Sequence, residues 1–278
     1  MGNEPITDIP GLLEICNGLI SGWAASAGTD AEFGQRDRIP DVPRFISVFG
    51  LAAHTHRLAE QAVPMLAKRL TLEAMPMIRL MYECALNAMW LAQNEDGSNA
   101  FMNKETKSRK AIVRTLAESS WRDRQFPEFD AGLLESASDP QAGNFEALCK
   151  DLQPGGADAY AIYRLLCRYG HATGFIVDKY ARFDADLKLV GIAHFAEFDS
   201  DSLWTYFTAL CLLWAGTAAD LIDPSRTRRS ELQAAERTLG TTRVLQLSPL
   251  ARQRLSKASE ARRRSEYRPP KRRKKDRT

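Results

Sequence analysis

Apolar residues recur at three- and four-residue steps along most of this chain. With 3.6 residues per turn, that spacing gathers them on one face of an α-helix. "LLEICNGLISGWAA" keeps the pattern from Leu12 to Ala25, and a loop rich in Gly, Asp and Pro then runs to Pro43. Two long helical patterns follow, "RFISVFGLAAHTHRLAEQAVPMLAKRL" and "LEAMPMIRLMYECALNAMWLAQN", the second stopping at "EDGS". Pro64 and Pro76 lie inside them, and each is expected to start, kink or break a helix. "NKETKSRKAIVRTLAESSW" is amphipathic, with Ile112, Val113 and Leu116 as its apolar stripe. Residues 122–156 are mixed and end at "QPGGAD", a helix boundary with Asp158 as candidate N-cap. Tyr160 to Tyr180 reads as one helix, weakened by Gly170 and Gly174. Alternation with period two is weak and confined to "TTRVLQLS" (241–248), and no hairpin turn joins two β-rich runs. The pattern predicts an all-α fold: an irregular helical bundle over 1–222, a polar helical extension over 223–264 and a disordered basic tail over 265–278.

One stretch has two readings. "SLWTYFTALCLLWAGTAA", Ser202 to Ala219, has no formal charge and is followed by Arg226, Arg228 and Arg229. Its length reaches the lower edge of a membrane span, with basic residues on one side. Its three Thr, Ser and Gly, and Asp220 and Asp223 just beyond, suit a central helix buried by other helices, which is the reading preferred here. The start, "MGNEPITDIPGLLEIC", has acidic residues where a signal peptide needs basic ones. The five cysteines are scattered, with no Cys-x-x-Cys pair, as in free thiols of a reducing compartment. A cytoplasmic location is expected.

Charge divides the chain. Residues 251–278 carry 13 Lys/Arg against 3 Asp/Glu, while the first 250 carry the other 25 and 32. The net charge of +3 therefore averages an acidic body and a tail of net +10. Arg262, Arg263, Arg264, Arg268, Lys271, Arg272, Arg273, Lys274 and Lys275 are suited to phosphate contacts, with Tyr267 as a stacking residue. A nucleic acid, RNA rather than DNA, is the expected partner. A solvated solubility tail is the competing reading.

Two constellations could carry chemistry. Arg79 and Glu83 in "RLMYECALNAMW" are one turn apart in an apolar window, with Tyr82 on a neighbouring stripe. They form either an ordinary intrahelical ion pair or a pair buried between helices that holds a polar site together. In "YRLLCRYGHATG", Arg164, Arg168 and His171 share one face if the helix continues, beside Tyr163. An imidazole exchanges a proton near neutral pH, and an arginine can neutralise a phosphate in a transition state. Alternatively, His171 makes a helix–helix contact. No carboxylate or second histidine lies three or four residues from it, so a metal site is not expected. His54 and His56, two apart, fall on different sides of a helix.

The spacing Arg164-x6-His171 resembles the Arg-x4–6-His motif of the HEPN helical-bundle superfamily, many of whose members are metal-independent ribonucleases of toxin–antitoxin and phage-defence systems. "RLMYECALNAMWL" followed by "Y..LLCRYGHATG" is also similar, over roughly residues 45–185, to a bacterial all-helical family without assigned function. The HEPN resemblance implies that Arg164 stabilises charge on the phosphorus, that His171 moves a proton, and that two motif helices of a homodimer form the cleft. It implies no metal and no cofactor. Leu165 follows the arginine where many members have a polar residue, a departure that bears on catalysis rather than fold. The expected function is an RNA-cleaving helical bundle, with a partner protein from the same operon as a further expectation. The alternative is a non-catalytic interaction or sensor module tethered to nucleic acid by its tail.

Overall fold

The computed structural model describes residues 7–27, 41–95, 97–120, 144–196, 198 and 201–266, with 99, 103 and 262–266 described as backbone only. The helices begin with α1 (Ile9–Ala27), α2 (Val42–Ala67), α3 (Thr71–Gln93) and α4 (Gly97–Ala117). There follow α5 (Phe145–Asp151), the short strand β1 (Leu152–Gln153), α6 (Gly156–Gly170) and α7 (Gly174–Asp178). A hairpin of β2 (Ala181–Phe183) and β3 (Leu189–Ile192) leads to α8 (Asp201–Ile222), α9 (Arg229–Leu239), β4 (Gln246–Leu247) and α10 (Pro249–Glu266). The fold is all-α.

Helices α3 and α8 form the centre because apolar, buried residues extend over most of the circumference of each. Around α3, Met75, Ile78, Met81, Leu86, Met89 and Trp90 are all fully buried, as expected of a helix surrounded by others. The most apolar window of α8 is 78% buried inside the bundle, the position of a core helix. Thr205 and Thr208 enter that core by donating their hydroxyls to the Asp201 and Trp204 carbonyls one turn back, at 2.7 and 2.8 Å. Helices α1 and α2 pack against α8, and α6 lies along α3.

Two buried ionic clusters tie the later segments to this centre. Arg228, just before α9, donates to the Leu19 carbonyl of α1 at 2.8 Å and grips Glu231 with two bonds of 3.0 Å. His56 of α2 is fully buried, stacked on Trp23 with centroids 4.3 Å apart. Its Nδ1 lies 2.8 Å from the Ala52 carbonyl, which can only accept, so Nδ1 carries the proton and Nε2 faces Arg228. Burial pushes the His56 pKa down to about 3, with the Arg228 charge acting in the same direction. In the second cluster, Asp151 accepts from the Trp90 indole at 3.0 Å and from both Arg254 terminal nitrogens at 3.0 and 2.6 Å. This joins α5 to α3 and α10.

The structure departs from the sequence reading at four places. Helices α2 and α3 run through Pro64 and Pro76 without ending. Pro64 lies in the last turn of α2 and Pro76 near the start of α3, and each costs its helix a backbone hydrogen bond without ending it. The N-cap before α6 is Gly155, at a φ of 94°, while Asp158 sits in the first turn, where a carboxylate complements the helix dipole. The expected helix from Tyr160 to Tyr180 stops at Gly170, and a separate short helix begins at Gly174. Finally, "ARFDADLKLVGI" forms an antiparallel hairpin that alternation did not reveal. The weakly alternating stretch does contain a strand, whose Leu247 pairs with Leu152.

Candidate functional site

Where α3 meets α6, Arg79 gathers a polar cluster. Its Nε donates to Cys167 Sγ at 3.2 Å and its Nη2 to Tyr163 Oη at 3.0 Å, with Glu83 3.4 Å from the same nitrogen. The guanidinium carbon lies 5.3 Å from the Tyr163 ring centre. The side chains of Arg79 and Glu83 remain 22% and 31% exposed, which places the pair at the edge of the helix contact rather than inside it. Desolvation opposes the charge on Arg79, but the bonds to Cys167 and Tyr163 outweigh it and raise its pKa. Tyr163 is pushed up by burial and by the Glu83 charge, against the opposing pull of Arg79.

Glu83 also borders a cleft of about 210 Å³ lined by Leu51, Leu80, Asn87, Phe101 and Lys104 among others. Phe145 joins the two features, lining the cleft and packing 4.4 Å from Tyr163. Tyr82 plays a different part. It is buried, donates to the Ala159 carbonyl at 3.1 Å, and pins α6 to α3 from within the core.

The face expected for Arg164, Arg168 and His171 does not form, because the helix ends one residue before the histidine. A Cβ on Gly170 would lie 3.1 Å from Arg79 Cδ and 3.7 Å from Pro76 Cα, so the last turn of α6 rests directly on α3. His171 then turns to extended backbone, and Thr173 Oγ1 takes up the Arg168 carbonyl at 3.1 Å. All three side chains are exposed, but they diverge. Arg164 bonds Tyr160 one turn earlier, and Glu146 adds to the forces raising its pKa. Arg168 lies over the Phe175 ring at 4.4 Å. His171 belongs to the loop that leaves Arg79, packed against neither Tyr163 nor Phe175 in any described ring contact.

Of the basic tail residues, Arg262, Arg263 and Arg264 fall in the last turns of α10. Arg268, Lys271, Arg272, Arg273, Lys274 and Lys275 lie outside the described residues, as does Tyr267. Among the described residues, no group of three or more His, Cys, Asp and Glu side chains is placed to hold a metal ion. His54 is exposed and His56 buried, on different sides of α2. Two contributors to these arrangements escaped sequence reasoning. Cys167 follows Tyr163 by one turn and so shares its face, a signal that was present; the buried role of Arg228 had only its Glu231 spacing to suggest it.

Fold and site together define an all-helical bundle with an arginine-centred polar cluster between two helices and a cationic helix end above it. The model of a family of unknown function, DUF5677, matches residues 45–186. That is half of the chain, and the protein belongs to this family. The matched span holds Arg79, Glu83, Tyr163, Cys167 and His171. No curated protein and no solved structure matches the chain.

Proposed function

We propose that this protein is a HEPN-like, metal-independent ribonuclease of the toxin or phage-defence kind, with His171 as its proton carrier. The observation that carries the proposal is the position of His171. It ends a helix bearing two exposed arginines, stands open to solvent, and adjoins the Arg79 cluster through Gly170. In this reading the ribose 2′-oxygen attacks the adjacent phosphorus and the bond to the 5′-oxygen breaks, leaving a cyclic phosphate. His171 takes the 2′-hydroxyl proton or supplies one to the leaving oxygen. Arg164 and Arg168 offset the charge gathering on the phosphoryl oxygens. Arg164 and His171 lie about 10 Å apart along the helix direction, so both side chains must extend toward a phosphate to share it. Arg168 is the nearer arginine in sequence, and a second copy would supply the other half of a composite cleft. The basic tail adds phosphate contacts that are independent of sequence.

The divergence of the three side chains favours a second reading, a non-catalytic interaction module. Arg164 and Arg168 each have another partner, and an unformed acid–base pair is what such a module would have.

Cleavage of mixed cellular RNA in the presence of EDTA separates the two. Wild type is expected to leave cyclic phosphate ends, with His171→Ala slower by about a hundredfold or more and equally folded by circular dichroism. RNA bound but not cut by wild type, or cut equally by both proteins, would refute the catalytic role of His171. Truncation after Glu266 is expected to weaken binding and flatten its salt dependence, since α10 itself is anchored by Ala251 and Arg254.

A further inference from the structure

The β2–β3 hairpin is built firmly at both ends yet carries its apolar side chains outside. At its turn, Asp184 Oδ1 accepts from the Asp186 and Lys188 amides at 3.0 and 2.9 Å, and Leu187 takes a φ of 59°. At its base, the Ala193 amide donates to the Tyr180 carbonyl at 2.7 Å, Ala193 is buried, and Tyr180 Oη donates to Glu73 of α3 at 3.2 Å. Within the hairpin Phe183, Leu187, Leu189, Val190 and Ile192, and just beyond its base Phe195, are 52% to 83% exposed. Among the described residues the two strands pair only with each other.

These six side chains expose roughly 800 Å², beyond the few hundred Å² that a monomer ordinarily leaves open and close to one partner's share of a standard interface. A two-stranded sheet of this length is also marginal by itself. The surface therefore calls for a partner, and its charges indicate which. Arg182 and Lys188 balance Asp184 and Asp186 within the hairpin. Neither a polyanion nor a polycation is favoured by that balance, and the aspartates at the turn oppose insertion into lipid. Two copies of the hairpin, by contrast, offer each other apolar area and both signs of charge, as a two-fold contact requires.

We infer that this hairpin is a self-association surface, through which two copies of the chain pair arm against arm. The contact is separate from the pairing of motif helices that the HEPN resemblance implies, and it holds whether or not the protein cleaves RNA.

Sedimentation equilibrium of the full chain, nuclease-treated and in high salt, tests it. Wild type is expected at twice the chain mass of 31.1 kDa, or at a higher multiple where the motif-helix contact of the proposed function forms as well. The exposed double substitution Leu189→Asp with Ile192→Asp is expected to weaken association by about a hundredfold or more, with unchanged circular dichroism. Ile46→Asp, at an exposed apolar site on α2, is expected to remain dimeric. A monomeric wild type overturns the inference, as does a dimer indifferent to the hairpin charges or broken by Ile46→Asp alone. Flotation of a monomeric wild type with phosphatidylserine vesicles, lost in the double variant, would overturn it in favour of a membrane surface.

Discussion

Replacing Asp151 tests how the segment bearing the basic tail is held to the bundle. Its carboxylate, 5% exposed, serves two partners of very different exposure. The Trp90 indole is fully buried, so in Asp151→Ala its N–H loses its acceptor, at a cost of about 1–3 kcal/mol. The Arg254 side chain is 38% exposed and regains water when released, so the lost ion pair adds at most about 1 kcal/mol. Together these make Asp151→Ala destabilising by about 1–4 kcal/mol. Asp151→Asn retains an oxygen for Trp90 while losing the charge, and is expected to cost about 1 kcal/mol. Urea unfolding followed by tryptophan fluorescence and circular dichroism measures both, coincident transitions supporting two-state analysis. Limited trypsin digestion should also cut at Arg252 or Arg254 sooner in the alanine variant, because α10 has lost its clamp. If the two variants agree within about 0.5 kcal/mol, the buried indole bond does not carry the difference and the reasoning fails.

Two further stability predictions follow from the Arg228 cluster. His56 stays neutral in the folded protein down to about pH 3, whereas in the unfolded chain it gains a proton near its ordinary value of 6.5. Between those values the unfolded state binds more protons, so stability falls with falling pH by up to about 1.4 kcal/mol per unit from this group. His56→Gln retains a donor and an acceptor but cannot titrate, and its stability should decline less steeply from pH 6.5 to 4.5; equal slopes would refute the assignment. Gly22 lies where the Glu231 carboxylate approaches α1 closely enough that no Cβ fits without moving it. Gly22→Ala is therefore expected to destabilise wild type by about 1–2 kcal/mol, yet to stabilise Glu231→Ala by about 0.5–1 kcal/mol through helix propensity. The same sign in both backgrounds, read by thermal or urea unfolding, would exclude the proposed clash.

What the sequence conveyed follows from which signals are periodic. The stripes of α2 and α3 and the uncharged run of α8 recur over several turns, and each marked a helix that the structure contains. The β2–β3 hairpin had no such signal. Its strands are three and four residues long, interrupted by a bulge, and its apolar side chains are exposed on both strands instead of alternating with polar ones. The same limit applied to the polar cluster: the one-turn spacings of Arg79 with Glu83 and of Tyr163 with Cys167 were readable, but not that the two pairs face each other. Gly170 marks the boundary most clearly. Read locally, a glycine only lowers helix propensity, and the helix could continue to Tyr180. In the fold, Gly170 is the residue whose missing side chain lets α6 rest on Arg79 and Pro76. The helix stops at this contact, which leaves His171 outside it and separates the histidine from the arginine face on which a helical reading had set it. The one candidate proton carrier thus follows a glycine whose low helix propensity was legible locally, while its close packing on α3 was legible only in the fold.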